Sequence, residues 1–414
     1  MEPLSKSSVF PTEIIELIID YLQDDIFALT RISGTSHAIL HSCRQRLFRS
    51  VRLGISPISH TFIRLFRYNP SIGQYVRELA LHVDNSLSKW YPGKNWQNDD
   101  TEDIETLTQT PFVEKLSIYG GISQPTSWNS LHVTLQQPIL DRIHHSSLTE
   151  LSICKFVIPV TIFRLCLNLS ALTLKQVEDS ETSEPIDQAK ISPRSLQPIT
   201  IPQLRSLELG ISANEFALAL FHHRDGDGHP LIRLDGLKTL IVHCYRERET
   251  QVIKGICEEA IGLETFSCRG ITGSAFPSLA QWPDFSRFST LKTLKGRCGH
   301  ALVTEDLLLG LCDKLQMFPH PNVLETLDIE ISVNWDHRLI STRNEWGRLD
   351  DVLSRGFPRL HRVSIRVVFP YYIGNPDPES AWLRKEVGVA RKMFPWLNEN
   401  AAVKFNFSTS LASH

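Results

Sequence analysis

The chain has 414 residues, 42% of them hydrophobic and 21% charged, with a formal net charge of −3. That length allows two or three domains or one extended repeat array, and the composition excludes a wholly disordered chain. The charge balance gives no overall attraction for nucleic acid or an anionic membrane, and no apolar run approaches the ~20 residues of a bilayer span.

The first ten residues, "MEPLSKSSVF", lack the basic-then-apolar order of a secretory signal, so the expected compartment is the cytosol or nucleus. Eight cysteines are spread through the chain without a C-x-x-C pair. They are expected to be reduced and mostly buried small hydrophobes, since neither closely paired metal ligands nor a dense disulfide framework is present.

The first predicted element is "VFPTEIIELIIDYL", residues 9–22. Pro11 suits the first turn of a helix, and Thr12 and Glu13 follow it near the positive helix end. Ile14, Leu17, Ile18, Tyr21 and Leu22 fall on one face by their spacing. Ile15 and Ile19 widen that face until only the strip Glu13, Glu16 and Asp20 remains polar. A helix with two apolar sides needs two neighbours.

A second helix is predicted after Asp25, carrying Phe27, Leu29 and Ile32, with "SGTS" at 33–36 as the break. A third follows in "HAILHSCRQRLFRSVRL", with Ile39, Leu40, Cys43, Leu47 and Phe48 inward. Three helices in about fifty residues make a core that is marginal alone.

The stretch "FPTEIIELIIDYLQDDIFALTRISGTSHAIL…RQRLFRSVRL" resembles an F-box, the motif by which substrate receptors dock on the Skp-type adaptor of cullin-based ubiquitin ligases. The shared pattern is an apolar residue, Pro, x, Glu, helically spaced Ile and Leu, a "YL" with an acidic turn, and an apolar second helix. Where many members have Val-Ser and a nearby Trp, this chain has Thr35, Ser36 and Ile39. The resemblance implies that Phe10, Pro11, Ile14, Ile15, Ile18, Leu22, Leu29 and Ile32 face the adaptor, and through it a cullin. Without the resemblance, the segment reads as a helical cap on the following domain.

A pattern Φ-x-x-Φ-x-Φ, where Φ is a large apolar residue, then recurs. It runs as "VRELAL" (76), "VEKLSI" (113), "LTELSI" (148), "LSALTL" (169), "LRSLEL" (204) and "LKTLIV" (237). It continues less cleanly as "LETFSC" (263), "LKTLKG" (291), "LETLDI" (324) and "LHRVSI" (360). The last two Φ residues, two apart, share one face of a strand. This is the strand segment of a leucine-rich repeat, whose usual period is about 20–29 residues. Here successive starts lie 21 to 37 residues apart, and the array resembles the degenerate leucine-rich-repeat-like solenoids of fungal F-box proteins. Residues 214–223 and 249–262 read as helices behind the strands, with Gly262 as a helix C-cap. A doubly wound domain is disfavoured because no glycine-rich first turn is present.

At the C-terminus, Asp377, Pro378 and Glu379 start a helix that ends before Pro395, and "AAVKFNF" (401–407) reads as a last strand covering the edge of the array. The motifs that suggest chemistry are weak. "HHRDGDGHP" (222–230) lacks the later oxygen ligands of a calcium loop and reads as a turn. In "RCGH", Cys298 and His300 have no third group to orient them. The segments at 177–198 and 98–105 read as polar loops, the former with a Ser192-Pro193 pair.

In a curved solenoid the residue after the last Φ of each strand lines the concave face. From His243 through Arg269 to Arg297, with Lys295 alongside, that row is basic and suits an acidic or phosphorylated peptide. The expected fold is therefore α/β: a three-helix F-box at 8–53, an irregular leucine-rich-repeat-like α/β solenoid at 70–370, and a C-terminal capping helix and strand at 371–414. The expected activity is non-catalytic recognition of a protein target for a Skp–cullin–F-box ligase, with no cofactor, metal, nucleic acid or membrane. The rival reading is a repeat scaffold whose helical segment only seals one end.

Overall fold

The computed structural model describes residues 11–35, 37–54, 57–83, 109–121, 123–131, 133–180, 201–224, 228–244, 247–270, 283–298, 311–332, 345–369, 388–389 and 391–411. They form two compact units, Met1–Leu169 with Ser180–Thr200, and Ser170–Asp179 with Ile201–His414.

The first unit begins with three helices, α1 (Thr12–Tyr21), α2 (Ile26–Ser33) and α3 (His37–Leu47). Pro11 stands just before α1, and its carbonyl accepts the N–H groups of Ile14 and Ile15 at 3.0 and 3.2 Å. Asp25 caps α2 as its sequence position predicted, accepting the Ala28 N–H at 2.9 Å. The three helices close on Ile19, Leu29 and Cys43, with Ile15, Leu22, Ile32, Ile39 and Leu47 packed around them. Phe27, carried on α2 beside Leu29 and Ile32, is exposed. Its neighbours Leu29 and Ile32 suffice to fill so small an interior.

The tail of the third predicted segment is not helical. Ser50–Leu53 is a strand, β1, paired in parallel with β2 (Glu78–His82). "FRSVRL" at 48–53 is thus one more occurrence of the Φ-x-x-Φ-x-Φ pattern, with Val51 and Leu53 buried. Helix α4 (Pro57–Tyr68), which was not anticipated, follows and packs on β1. Gly54 between them adopts φ +113°, a left-handed turn, and a Cβ there would lie 2.5 Å from the His82 carbonyl. The unit continues through β3 (Lys115–Tyr119), β4 (Thr126–Ser127), α5 (Val133–Ile143) and β5 (Glu150–Ile158). Strands β1, β2, β3 and β5 are parallel and lie in chain order, with β4 pairing the far end of β5.

The second unit repeats the scheme. Its strands are β6 (Ala171–Asp179), β7 (Ser206–Leu209), β8 (Thr239–Cys244), β9 (Thr265–Gly270), β10 (Thr293–Cys298), β11 (Thr326–Ser332), β12 (Arg362–Phe369) and β13 (Lys404–Leu411). From β7 on, each pairs in parallel with the one before it. Helices α6 (Asn214–His222), α7 (Glu247–Glu259), α8 (Leu311–Gln316) and α9 (Glu345–Gly356) lie between strands, close to where the sequence placed the first two. Parallel neighbours require such crossovers, whereas antiparallel ones could be joined by tight turns. Gly262 does not cap α7. The helix ends at Glu259, and Gly262 lacks the left-handed conformation that such a cap needs.

All ten patterned segments are strands, and the pattern's physical basis is visible. Leu204, Leu207, Leu209, Leu237, Leu240 and Val242 are fully buried, and the equivalent residues of the other repeats are nearly so. Burying each such side chain is worth about 1.5–3 kcal/mol. In the pattern, the two "x" residues that precede the second Φ both donate N–H groups to one carbonyl of the previous strand's entry. Glu114 and Lys115 donate to Arg77 at 2.8 and 3.0 Å, Lys238 and Thr239 to Arg205 at 2.9 and 3.0 Å, and Glu264 and Thr265 to Lys238 at 2.8 Å each. The fork recurs at the entries of β2, β5, β7, β10, β11 and β12. Side chains at the same level add ion pairs: Glu264 accepts from Lys238 at 2.5 Å and Lys292 at 2.8 Å, which hold its carboxyl down at about 2.

Two longer strands break the alternation. Lys155 in β5 and Gln176 in β6 adopt left-handed φ of 59° and 52°. Each bulge shifts the face by one residue, so Phe156 and Ile158, and likewise Val177, return to the interior.

The last repeats end on an aromatic cluster. Trp346 on α9 packs edge-on to Phe394 and Phe407, with ring centroids 5.6 and 5.8 Å apart. A short helix, α10 (Pro395–Glu399), is capped from a distance: buried Asp350 of α9 accepts the N–H groups of Trp396 and Leu397 at 2.9 and 3.0 Å. The expected last strand is β13, which starts three residues later than "AAVKFNF", runs four residues beyond it and pairs along its length with β12. The predicted helix start at Asp377 lies outside the described residues.

Asp350→Ala leaves one buried and one partly buried N–H group without this acceptor and is expected to lower the urea stability of the full chain by about 1–3 kcal/mol. Asp351→Ala, one exposed position on, should change it by less than about 0.5 kcal/mol. Equal effects from the two variants would refute the capping role.

Candidate protein-docking surfaces

The first surface belongs to α1 and α2. Helix α1 has two apolar sides, and their surroundings differ. Ile15, Ile19 and Leu22 turn into the three-helix core. The regular stripe Ile14, Leu17, Ile18 and Tyr21 turns to solvent, with Ile14 42%, Ile18 47% and Tyr21 90% exposed. At the first turn of α2, Ile26 and Phe27 are also exposed, Phe27 by 83%. Four large apolar side chains on one short helix, all open to water, are unusual for a soluble surface.

Of the residues that the resemblance assigned to the adaptor, Pro11, Ile14 and Ile18 are exposed. Ile15, Leu22 and Ile32 are half-buried, with their inner sides on the core. Leu29 is fully buried and presents no surface. Phe10 lies outside the described residues. Leu17, Tyr21, Ile26 and Phe27 join the exposed set. The first two were legible as members of the stripe, whereas Ile26 and Phe27 follow from α2 starting directly after the Asp25 cap.

The scaffold beneath this surface is tied down on its inner side. Arg46 of α3 donates from Nε to Asp20 of α1 at 2.8 Å and pairs with it through Nη2 as well. His41 of α3 shares a hydrogen bond of 3.0 Å with the Tyr75 hydroxyl, in the 3-10 turn Pro70–Tyr75, and another of 2.9 Å with Gln45. The outward stripe is therefore carried on a fixed frame.

The second surface is a row across the strands of the second unit. Register places His243 beside Arg269, Arg269 beside Arg297, Arg297 beside Glu330, and Glu330 beside Arg366. Lys295 lies two residues before Arg297 on the same face of β10. The structure thus brings together all four residues singled out from the sequence, His243, Arg269, Lys295 and Arg297.

Two acids stand beside them: Glu330, which falls in the same row by its place after the strand pattern, and Glu208, which the sequence did not single out. Glu330 accepts from Arg297 Nε at 2.8 Å and pairs with Arg366 Nη1 at 3.7 Å. Glu208 holds Lys175 Nζ at 2.8 Å and stands 4.0 Å from His243 Nε2. Burial lowers the pKa of His243, and Arg269, Lys175 and Arg297 lower it further against the opposing pull of Glu208. In the first unit the corresponding row is His82, Tyr119 and Cys154, where the His82 and Tyr119 rings stack at 4.6 Å.

The helices of the second unit border one cavity of about 240 Å3, lined by Lys254, Cys257, Glu258, Pro283, Asp284, Arg287 and Lys314. Burial raises the Cys257 thiol, which disfavours the nucleophilic thiolate. Cys43, Cys154, Cys166, Cys257, Cys268 and Cys312 form no disulfide among the described residues, and burial pushes Cys166 up to about 12. Among the described residues no group of His, Cys, Asp and Glu could hold a metal ion, and no helix is long and apolar enough to cross a membrane. Asp225, Asp227 and His300, weighed in the sequence, lie outside the described residues, as do 98–105 and 181–198.

No family model matches the chain, and no curated protein matches it.

His243 has a lowered pKa in the folded state, so the unfolded chain takes up its proton first on acidification. The stability it contributes is complete above the unfolded value near 6.5 and is lost as pH falls through that value toward the folded one. Urea denaturation at pH 7.5 and 5.5 is expected to show a loss on acidification that is smaller in His243→Gln. An identical loss in the variant would rule out this contribution.

Proposed function

We propose that this chain is a non-catalytic substrate receptor: its N-terminal helices dock a Skp-type adaptor, and through it a cullin, while its strands form a leucine-rich-repeat-like solenoid that holds a protein target. The observation that carries the reading is the outward stripe Ile14, Leu17, Ile18 and Tyr21 on α1, set on a three-helix unit that already has a filled core. Its residues belong to the stretch that resembles an F-box. Each exposed aliphatic residue has about 1.5–3 kcal/mol to gain from burial against a partner. The solenoid reading is supported by parallel strands in chain order in each unit, each built on the same buried triplet. The protein works by proximity, holding target lysines near a ubiquitin-loaded enzyme supplied by other subunits. Its place of action is the cytosol or nucleus.

A second reading is a repeat scaffold in which the three helices only seal an end. It is favoured by the His41–Tyr75 hydrogen bond and by the run of chain from α3 directly into β1.

The two readings part in one experiment. Ile14→Asp with Ile18→Asp places charges on exposed positions and is expected to leave the melting temperature nearly unchanged while abolishing capture of a purified Skp-type adaptor. Adaptor capture that survives both charges, or that never occurs with the unaltered chain, defeats the receptor reading. A large fall in melting temperature would instead favour the sealing role.

A further inference from the structure

We propose that the strand face of the second unit binds an oxyanion carried on a peptide segment, seated on Arg269 and Lys295 with His243 and Arg297 at its sides. The inference rests on reading the chain as a receptor for a protein target, and it names the chemistry of that target.

Arg269 and Arg297 are register partners on neighbouring parallel strands, so their side chains leave one face about 5 Å apart. Lys295 leaves the same face of β10 about 7 Å from Arg297. Like charges directly opposite each other weaken a sheet. Elsewhere along the row the fold relieves that repulsion with an acid: Glu330 stands between Arg297 and Arg366, and Glu208 beside Lys175. Strand β9 offers none, because its residues on this face are Thr265, Ser267 and Arg269. Asp328, the register partner of Lys295, makes no ion pair with it. Arg269 and Lys295 are both exposed, and neither has an ion-pair partner among the described residues. His243 Nε2 is buried beside them with no hydrogen-bond partner. Burial is the main cause of the depressed pKa of His243, and the neighbouring Arg269 adds to it.

The flanking carboxylates decide the kind of anion. Glu208 on β7 and Glu330 on β11 are four strands apart, about 19 Å at ordinary strand spacing. A nucleic-acid backbone laid across the strands would bring phosphates against both acids. A single phosphate, or a short run of Asp and Glu, fits between them. An arginine fork with an adjacent lysine suits either source through charge-assisted hydrogen bonds.

The test uses the full chain and fluorescence anisotropy with three probes: degenerate peptide libraries centred on Ser, on phosphoserine, or on Asp-Asp. A 20-nucleotide single-stranded DNA is the fourth. The phosphoserine library, the Asp-Asp library or both should bind more tightly than the Ser library, and the tighter of the two names the source. Arg269→Glu should weaken that binding at least about tenfold, as for a charge in direct contact with its ligand. Glu330→Gln, which removes a fence, should strengthen it roughly fivefold. Arg355→Glu makes the same charge change on α9, away from the row, and should have no effect. The proposal is overturned if neither anionic library exceeds the Ser library, if Arg269→Glu and Arg355→Glu act alike, or if the DNA binds most tightly. The same preparations go into the adaptor capture. Capture without peptide discrimination removes this inference alone, and discrimination without capture removes the ligase reading alone.

Discussion

The forked hydrogen bond that recurs at nine strand entries is the constraint from which the rest of this molecule follows. One carbonyl accepts two N–H groups from the next repeat, as Arg77 does from Glu114 and Lys115. The fork fixes where the next strand begins relative to the last. Register is then set for every residue downstream, and the buried triplets stack without slipping. Leu204, Leu237 and Leu263 sit just before the fork and are fully buried, so the hydrogen bonds are formed at the edge of a dry interior. The intervening chain is free to vary. The closest spacing, 21 residues, leaves room for the 3-10 turn Val160–Leu165, while longer ones accommodate helices such as α6 and α7.

Fixed register has a functional consequence on the other face. Residues two apart on one strand and level with each other on neighbouring strands form a grid, so widely separated positions such as His243, Arg269 and Arg297 meet by construction. Charge on that grid is partly neutralised from within, by Glu208 and Glu330, and partly left open at Arg269 and Lys295. The helical surface obeys a different rule. There a small filled core around Ile19, Leu29 and Cys43 leaves further aliphatic residues with nowhere to go but solvent or a partner.

The strands were legible in the sequence because the triplet has no other use: a Φ residue that is fully buried in every repeat leaves a periodic trace. The exception is instructive. Phe48, Val51 and Leu53 fit the same template, yet they follow a helix of similar apolar content and were absorbed into it, so β1 and α4 went unread. Periodicity also left the orientation of α1 open. With Ile14 and Ile15, and Ile18 and Ile19, side by side, either flank could have served the core. Only the packing of α3, with Cys43 and Arg46 facing α1, settles that Ile15 and Ile19 turn inward. The basic row was readable from the aligned pattern. Its partition into paired and open cations depends on which side chains reach Glu208 and Glu330, and spacing does not encode that reach.

The cap on α10 gives the chain end an unusual independence from its own backbone. Asp350, Trp346 and the whole length of β12 grip Trp396, Phe394 and β13 from residues that precede them by more than a turn of repeat. Residues before the end of β12 thus supply the ladder and the aromatic seat of the terminal strand, and the distant carboxylate that caps α10. In that respect the final repeat behaves as a noncovalent complex that happens to be tethered.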